Sequence, residues 1–262
     1  MKIAFFDSGI GGLTVLHHAM KILPHEEFIF FADEDNVPYG TKSPEEVLKF
    51  VDAAFEFLVA QGVAAIVVAC NTATSVAVRK MREKYSLPII GMEPALKVAL
   101  DTFPNRKVLV TATAITITGE KIRRLIARLH AEDCAELKAL PRLVEFAEQQ
   151  EFNSAAVEEY LRGELTGYDF GKFSSLVLGC THFNYFKDTL RKILPPHVKI
   201  LDGNAGTVNE LIRRANLQPA KSLVPGPRSL VPYYSARRVT DTAELVRLEK
   251  FLKRLDEMED IS

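Results

Sequence analysis

Short runs of continuous apolar residues alternate along the chain with longer segments of helical periodicity. The apolar runs predict buried strands at residues 2–6, 28–31, 64–69, 88–91, 107–111, 136–140, 175–179 and 198–201. Helical periodicity predicts helices at residues 13–23, 72–84, 117–129 and 154–162. Ser43 and Pro44 begin one more predicted helix, which ends near Ala60. This alternation predicts βαβ units and mainly parallel sheets.

The second half of the chain repeats the order of the first. The run AAIVVAC ends at Cys70 and SSLVLGC ends at Cys180. In the same way, KIAFFD ends at Asp7 and KVLVTAT ends at Thr113. Two aligned landmarks of this kind predict two similar α/β domains.

The end of the chain is expected to return to the first domain. Residues 221–232 hold three prolines and a glycine, which predicts a connection between elements. A strand at residues 233–234 and a helix at residues 241–255 follow. The expected division is a first domain of residues 1–92 with 207–262, and a second domain of residues 93–206.

The composition limits the possible partners. Among 262 residues, 33 are Lys or Arg and 34 are Asp or Glu, so we expect no nucleic-acid partner. The apolar runs are much shorter than the ~20 residues of a membrane span, and no leader-like segment precedes the first strand. We therefore expect a cytoplasmic protein without a membrane partner. The three cysteines are an odd number, which favours reduced thiols over a disulfide framework.

Small and polar residues follow the predicted strands, where ligands bind in parallel sheets. DSGIGG at residues 7–12 either presents backbone N–H groups to an anion or forms only a tight turn, and both interpretations stay open. Its spacing is not that of a nucleotide-binding glycine motif. The loop of residues 31–40 contains ordinary turn formers, and Tyr39 with backbone N–H groups near Gly40 can hold a second carboxylate.

Two cysteines stand at equivalent strand ends. Cys70 precedes an asparagine and a threonine, and Cys180 precedes a threonine and His182. A free cysteine is more often a small buried hydrophobe, but a strand end beside polar donors and a helix N-terminus stabilises a thiolate. Two opposed thiols suit the inversion of a carbon stereocentre, because one removes a proton and the other supplies one to the opposite face. Cys134 has acidic neighbours and is expected to be structural.

Four motifs together carry a resemblance to a known family. They are DSGIGG at 7–12, ADEDNVPYG at 32–40, ACNTAT at 69–74 and GCTH at 179–182. From residue 2 to about 217 the sequence resembles the glutamate racemases of the cofactor-independent aspartate/glutamate racemase superfamily. The resemblance implies two pseudo-symmetric, three-layer α/β domains with the active site in the cleft between them. It also implies racemisation of glutamate without pyridoxal phosphate, metal or other cofactor, supply of D-glutamate for bacterial peptidoglycan, and a homodimer.

The resemblance also implies roles for individual residues. Cys70 matches the base that acts on D-glutamate and Cys180 the base that acts on L-glutamate. Asp7 and His182 match their respective helpers, and Glu148 matches an assisting glutamate. The positions that match substrate contacts are Asp7, Ser8, Pro38, Tyr39, Gly40, Asn71, Thr72, Thr113, Thr116, Thr181 and His182.

A few positions depart from the family pattern. Glu145 and Asn184 stand where proline is usual, Ala114-Ile115 replaces a Pro-Gly, and Gly119 replaces a serine. These departures bear on the local backbone and on closure of the two domains.

Three other functions stay open at this point. One is a racemase for aspartate or another acidic amino acid. The side chain of aspartate is one methylene shorter than that of glutamate, and a pocket discriminates between them by only ~1–3 kcal/mol. A Cys-His acyl-transfer enzyme built on Cys180 and His182 leaves Cys70 unexplained. A non-catalytic amino-acid-binding module has no need of two thiols.

Overall fold

The chain folds into alternating strands and helices, and the computed structural model describes residues 1–104, 106–220 and 229–261. The strands in these residues are β1 (Lys2–Asp7), β2 (Glu27–Ala32), β3 (Ala65–Val68), β4 (Ile89–Gly91), β5 (Lys107–Ala112), β6 (Ala135–Ala139), β7 (Phe173–Leu178), β8 (Lys199–Asp202), β9 (Ser229–Tyr234) and β10 (Arg237–Arg238). The α-helices are α1 (Leu13–Ile22), α2 (Pro44–Ala60), α3 (Asn71–Lys84), α4 (Leu96–Thr102), α5 (Ala114–Thr118), α6 (Glu120–Arg128), α7 (Arg142–Glu148), α8 (Ala155–Leu165), α9 (Lys187–Ile193), α10 (Asn204–Ala215) and α11 (Thr242–Met258). Short 3-10 helices cover Ile10–Gly12, Tyr39–Thr41, Phe170–Lys172 and Thr181–Phe186.

The described strands form two sheets with the same internal order. One sheet runs β10-β9-β2-β1-β3-β4 and the other runs β6-β5-β7-β8. Neighbouring strands are parallel except for the pair of β9 and β10. The order β2-β1-β3-β4 corresponds to β6-β5-β7-β8, so β1 is equivalent to β5 and β3 to β7. The predicted α/β class with mainly parallel sheets and an internal repeat is confirmed.

Both faces of the central strands are buried, which explains their continuous apolar runs. The neighbours Phe5 and Phe6 of β1 pack into different core clusters on opposite faces of the sheet. Leu109 and Val110 of β5 do the same in the second sheet. Each sheet is therefore the middle of three layers. The cluster that contains Phe5 also contains Leu109, so one apolar core joins the two halves.

The order of the strands places a crevice at the same edge of each sheet. Connections from β1 and β3 leave on opposite sides, and ligands bind beyond such a switch point at the carboxyl ends of the strands. Asp7 ends β1, and Cys70 follows β3. In the second sheet Thr113 follows β5, and Cys180 follows β7.

The C-terminal helix packs across both halves. Phe251 of α11 is fully buried and contacts the ring of Tyr185 at 5.3 Å between ring centres. Arg254, three residues further, donates to the carbonyl oxygen of Tyr185 at 2.8 Å and to Asp188 at 2.6 Å. On its other side α11 contacts α1. The end of the chain therefore braces the Thr181–Phe186 turn against the first sheet.

Two predicted elements differ from the structure. The single helix predicted over residues 117–129 is wrong: α5 and α6 are separate because Gly119 between them is extended, at φ −68° and ψ 153°. Of the connection predicted over residues 221–232, residues 221–228 lie outside the part of the chain that the structure describes. The last four residues, 229–232, belong to β9. Pro232 fits this strand because its carbonyl accepts from Val239 on the side away from β2. Its missing N–H faces that same side, so no bond to β2 is lost.

Four of the described helices, α4, α7, α9 and α10, have no counterpart in the sequence prediction. Three of them have seven residues each, about two turns, which is too short for a 3.6-residue period to stand out. The fourth, α10, begins without a side-chain cap, so its start signal is missing. None of the described helices is long and apolar enough to cross a membrane.

Candidate active site

Cys70 stands between the end of β3 and the start of α3, where it caps the helix. Its Sγ accepts the backbone N–H of Ala73 at 3.4 Å and lies 3.6 Å from the hydroxyl of Ser8. That hydroxyl donates to Oδ1 of Asp7 at 3.1 Å. Ser8 therefore bridges the thiol and the carboxylate that ends β1. Cys70 is only 5% exposed.

Burial controls the protonation of this first thiol. Burial raises the pKa of Cys70, the negative charge of Asp7 raises it further, and the Ala73 N–H and Ser8 hydroxyl oppose both effects less strongly. Burial also raises the pKa of Asp7, against the attraction of His182. In this arrangement Cys70 is held as a thiol, which is the form that donates a proton.

Cys180 stands at the equivalent end of β7 and has different partners. Its Sγ lies 3.9 Å from Nδ1 of His182, and Nε2 of the same ring donates to Oε1 of Glu148 at 2.6 Å. Burial lowers the pKa of His182, but its contacts with Cys180 and Glu148 outweigh burial and raise that pKa well above its usual value. The imidazolium is therefore the favoured form, and its positive charge lies beside the Sγ of Cys180. Each thiol has its own acid-base neighbours.

The glycine-rich loop joins the two halves. The N–H of Ile10 donates to Oε1 of Glu148 at 2.9 Å, so the anion that this loop holds is a carboxylate of the protein. Added Cβ atoms on Gly9 and Gly11 would lie 2.1 Å from Glu148 Oε1 and 2.4 Å from His182 Nδ1. Both positions need glycine because the second half approaches them this closely. The loop is also a tight turn, because the 3-10 helix at Ile10–Gly12 leads directly into α1. The structure therefore does not exclude either of the two interpretations left open by the sequence.

The two cysteines line one small cavity. The lining residues are Asp7, Ser8, Pro38, Tyr39, Gly40, Cys70, Asn71, Thr72, Thr113, Val144, Cys180, Thr181 and His182. The cavity volume is about 10 Å³, about the space of one water molecule. A larger cleft of about 610 Å³ lies between α3 and α6, but charged surface side chains line it and neither cysteine does. The candidate site is therefore assigned by its chemistry and not by its size.

Hydroxyl and amide groups supply the polar surface of the cavity. The Oγ1 atoms of Thr72, Thr113 and Thr116 lie 3.0 to 3.3 Å from one another, which places Thr116 directly behind the lining. Thr181 Oγ1 donates to Oδ2 of Asp7 at 2.8 Å. Both polar atoms of the buried Asn71 side chain have no hydrogen-bond partner. Such a group costs ~1–3 kcal/mol, so Asn71 indicates a place for a polar ligand.

Tyr39 lines the cavity, but its hydroxyl points elsewhere. It donates to Oδ2 of Asp33 at 2.7 Å, and Asp33 also accepts from Asn36 and Ser235. The phenol proton is therefore already used within the first half. If a second carboxylate binds at this place, the backbone near Gly40 must provide the donor.

The remaining positions singled out from the sequence lie outside the cavity. Cys134 is half-buried and its Sγ donates to the carbonyl of Ala131 at 3.5 Å, a local contact. Glu145 is exposed on α7. Asn184 is buried, and its Nδ2 donates to the carbonyl of Thr181 at 3.1 Å. Asparagine at 184 thus braces the backbone of the Cys180 loop.

Sequence reasoning missed three residues at or next to the site. Val144 lines the cavity, and Glu34 and Arg247 lie within ion-pair distance of each other behind Glu148. Glu34 belongs to the ADEDNVPYG motif, where it looked like one more loop acid. Arg247 lies in an ordinary amphipathic helix, and no local signal connects it to a residue 99 positions earlier.

Comparisons with known proteins show which proteins this chain resembles in sequence and in fold. The sequence profile described as Asp/Glu/hydantoin racemase matches residues 14–211. A glutamate racemase of Campylobacter curvus is 49% identical over 270 aligned positions, which cover 100% of both chains. The solved glutamate racemase of Escherichia coli in complex with L-glutamate is 27% identical, with a TM-score of 0.79 over 97% of this chain and 94% of that one. The solved enzyme of Francisella tularensis in complex with D-glutamate is 27% identical, with a TM-score of 0.78 over 96% and 93%.

The profile match extends over most of the chain, and the identity to the Campylobacter enzyme covers the whole of it. Similarity of this extent goes beyond a shared fold. The chain belongs to the Asp/Glu/hydantoin racemase family.

Proposed function

We propose that the protein is a glutamate racemase, an isomerase that interconverts L- and D-glutamate by proton transfer between two thiols. The observation that carries the proposal is the placement of Cys70 and Cys180. They stand at equivalent strand ends of two sheets with the same order and line one cavity. The relatives named above are glutamate racemases, and two were solved with the two enantiomers. The product D-glutamate serves bacterial peptidoglycan, as the resemblance implies.

The residues beside Cys70 and beside Cys180 explain how the configuration at the α-carbon of glutamate is inverted. In the L-to-D direction the thiolate form of Cys180, paired with the imidazolium of His182, removes the α-proton of L-glutamate. The Cys70 thiol then donates its proton to the opposite face of the carbanion. Cys180 now carries the substrate proton and Cys70 is a thiolate, so the site is ready for the reverse reaction. In that direction Asp7 and Ser8 assist Cys70, and Glu148 holds His182 in place as a positioning residue.

The cavity offers donors for the carboxylates of the substrate without an arginine in its lining. We assign them to the free amide of Asn71 and to the hydroxyls of the matched threonines and Ser8, with the N–H groups of the two cysteine loops. Pro38, Tyr39 and Gly40 form the wall for the second carboxylate. Because about 10 Å³ is too small for an amino acid, the two halves must separate when substrate enters.

Isotope exchange tests the proposed function. The test is to incubate the purified protein with L-glutamate, D-glutamate or L-aspartate in deuterated water. NMR then measures α-proton exchange, and chiral chromatography measures the configuration of the amino acid. Both glutamate enantiomers should exchange and racemise, with aspartate much slower. A second sample dialysed against a chelator should keep full activity, since we propose that no cofactor takes part. Exchange with aspartate alone, or activity that returns only with added metal or pyridoxal phosphate, would refute the proposal.

Substrate charge gives a second test. Glutamine has the length of glutamate but lacks the negative charge on the side chain, and alanine lacks the side-chain carboxylate altogether. We expect kcat/KM for racemisation of either to be at least about 10²-fold below that of glutamate, because the donors of the second carboxylate site stay unpaired. Equal efficiency with glutamine would show that the wall near Gly40 does not recognise a carboxylate.

The larger-scale organisation stays a proposal as well. We propose a first domain of residues 1–92 with 207–262 and a second of residues 93–206. Pairing of β9 with β2 supports this division, as does the separate sheet of β5 to β8. The boundary between residues 206 and 207 falls within the first turn of α10. A cytoplasmic homodimer is expected from the resemblance, and sedimentation of the purified protein measures its mass in solution.

A further inference from the structure

A row of charged side chains continues from His182 away from the cavity. Glu148 accepts from His182 through Oε1, and its other oxygen, Oε2, lies 3.3 Å from Nη2 of Arg247. Nη1 of the same guanidinium lies 3.5 Å from Oε1 of Glu34. The row joins the Thr181–Phe186 turn, α7, α11 and the loop after β2. Two carboxylates therefore share one cation directly behind the Cys180 side of the site.

Arg247 is fixed from several directions. The guanidinium carbon lies 5.9 Å from the ring centre of Tyr234 and 5.5 Å from that of Phe251. Nη2 also donates to the carbonyl oxygen of Glu148 at 3.4 Å. Glu244 approaches Nη1 to 3.4 Å from a more exposed position. A planar guanidinium held in this way fixes the orientation of the Glu148 carboxylate.

Glu34 is a carboxylate with little solvation of its own. Its Oε1 is buried and has no hydrogen-bond partner. Burial and the negative charge of Glu148 raise the pKa of Glu34 to about 7, against the attraction of Arg247. The charged and titratable groups that face it are Arg247 and Glu244 of α11, Glu148 of α7, His182 of the Thr181–Phe186 turn and Tyr234 of β9. The charge of Glu34 therefore changes in the neutral range.

We propose that Arg247 and Glu34 are positioning residues that act through Glu148 on His182, and so on proton abstraction by Cys180. The inference rests on the proposed function and deepens it. Arg247 keeps the Glu148 carboxylate against the imidazole ring. An ionised Glu34 adds a negative charge that partly offsets the positive charge of Arg247. The electrostatic potential at His182 therefore becomes more negative. That potential favours the imidazolium and with it the thiolate form of Cys180.

The test needs a reaction that uses one thiol at a time. L- and D-glutamate have equal free energies, so kcat/KM for racemisation is the same in both directions for every variant. Elimination from β-chloroglutamate avoids this limit: removal of the α-proton expels chloride, and the enamine that forms hydrolyses to 2-oxoglutarate and ammonium. The L-type analogue is deprotonated by Cys180 and the D-type by Cys70.

Arg247→Met is expected to affect one thiol only. Elimination from the L-type analogue should fall by about 10-fold or more, because Glu148 is no longer held against His182, while elimination from the D-type analogue changes by less than about 3-fold. Arg247→Lys keeps a donor for the Glu148 carboxylate and should restore part of the loss, because the lost function is the positioning of Glu148. Arg254→Met on the same helix is the control: it removes the clamp on Tyr185 and Asp188, and should change both eliminations alike.

Glu34→Gln tests the role of charge with a nearly isosteric side chain. In the unsubstituted protein, elimination from the L-type analogue should rise with pH through an inflection near 7, where Glu34 loses its proton. In the variant this inflection should disappear, and the rate at pH 8 should be about 3- to 10-fold lower. Glu244 contacts the same guanidinium from a more exposed position, and the pH profile of Glu244→Gln should keep the inflection.

The outcomes separate this inference from the proposed function. Equal losses with both analogues in Arg247→Met, or an unchanged pH profile in Glu34→Gln, would overturn the positioning role while racemisation by the unsubstituted protein stands. Absence of racemisation in the unsubstituted protein would instead refute the proposed function. Melting temperatures of all variants show whether each loss occurs in a folded protein.

Discussion

Replacing either Cys70 or Cys180 with serine is expected to abolish inversion of glutamate and to leave one-sided chemistry intact. Each variant keeps one thiol, but inversion needs a base on one face of the α-carbon and a proton donor on the other. Positioned proton transfer contributes ~10²–10⁴-fold, so racemisation should fall at least that far in both variants. Chiral chromatography of glutamate measures the loss.

The same two variants should show a crossed pattern with the β-chloro analogues. Elimination needs no proton return, so one thiol is enough for it. Cys70→Ser should retain elimination chiefly from the L-type analogue, and Cys180→Ser chiefly from the D-type. A single base that serves both faces does not produce this pattern.

Cys134→Ser is the matched control for both cysteine variants. Its thiol has only a local contact with the Ala131 carbonyl and lies outside the cavity, so racemisation and both eliminations should stay nearly unchanged. Equal loss of elimination from both analogues in Cys70→Ser and Cys180→Ser would mean that the thiols are not separate, opposed bases. The mechanism would then have to be abandoned.

Gly11→Ala is expected to reduce racemisation by about 10²-fold or more without changing a functional group. The new Cβ would lie 2.4 Å from Nδ1 of His182 and 2.5 Å from Oγ1 of Thr181. Neither side chain can yield freely, because His182 is bound to Glu148 and Thr181 to Asp7. The two halves must move apart, and a shift of about 1 Å at a reacting group costs about 10²-fold. Steady-state racemisation with glutamate measures the effect.

Gly163→Ala provides the comparison for that variant. Gly163 lies in α8, and nothing lies within 4 Å of its added Cβ. Alanine there should stabilise the helix by about 0.5–1 kcal/mol and leave racemisation unchanged. Wild-type activity in Gly11→Ala would show that the halves are not held at the distance described, and the account of the glycine loop would be wrong.

Much of the fold and the centre of the site follow from local patterns. The continuous apolar runs of β1, β3, β5 and β7 predict parallel strands buried on both faces, and the structure has them. Parallel strands end at one edge of a sheet, so the pattern predicts that Asp7 and Cys70 lie together. Cys180 follows a strand of the other sheet, and only the resemblance to a known family implies that the two sheets share one cleft. The capping signals Ser43 and Pro44 likewise predicted the start of α2, and a capping box is present there. Each of these signals lies within a few residues of the feature it predicts.

The features of the site that the local patterns missed depend on contacts between distant parts of the chain. Ile10 meets Glu148 across 138 positions, Thr181 meets Asp7 across 174, and Arg247 meets Glu148 across 99. Periodicity and turn chemistry describe which faces are buried, but they carry no information on which buried faces meet. That choice is made by the packing of two sheets and a C-terminal helix around a shared core, which brings Arg247 and Glu34 behind Glu148. The pairing of charges behind His182 is therefore a property of the packed molecule, because burial and distance exist only there.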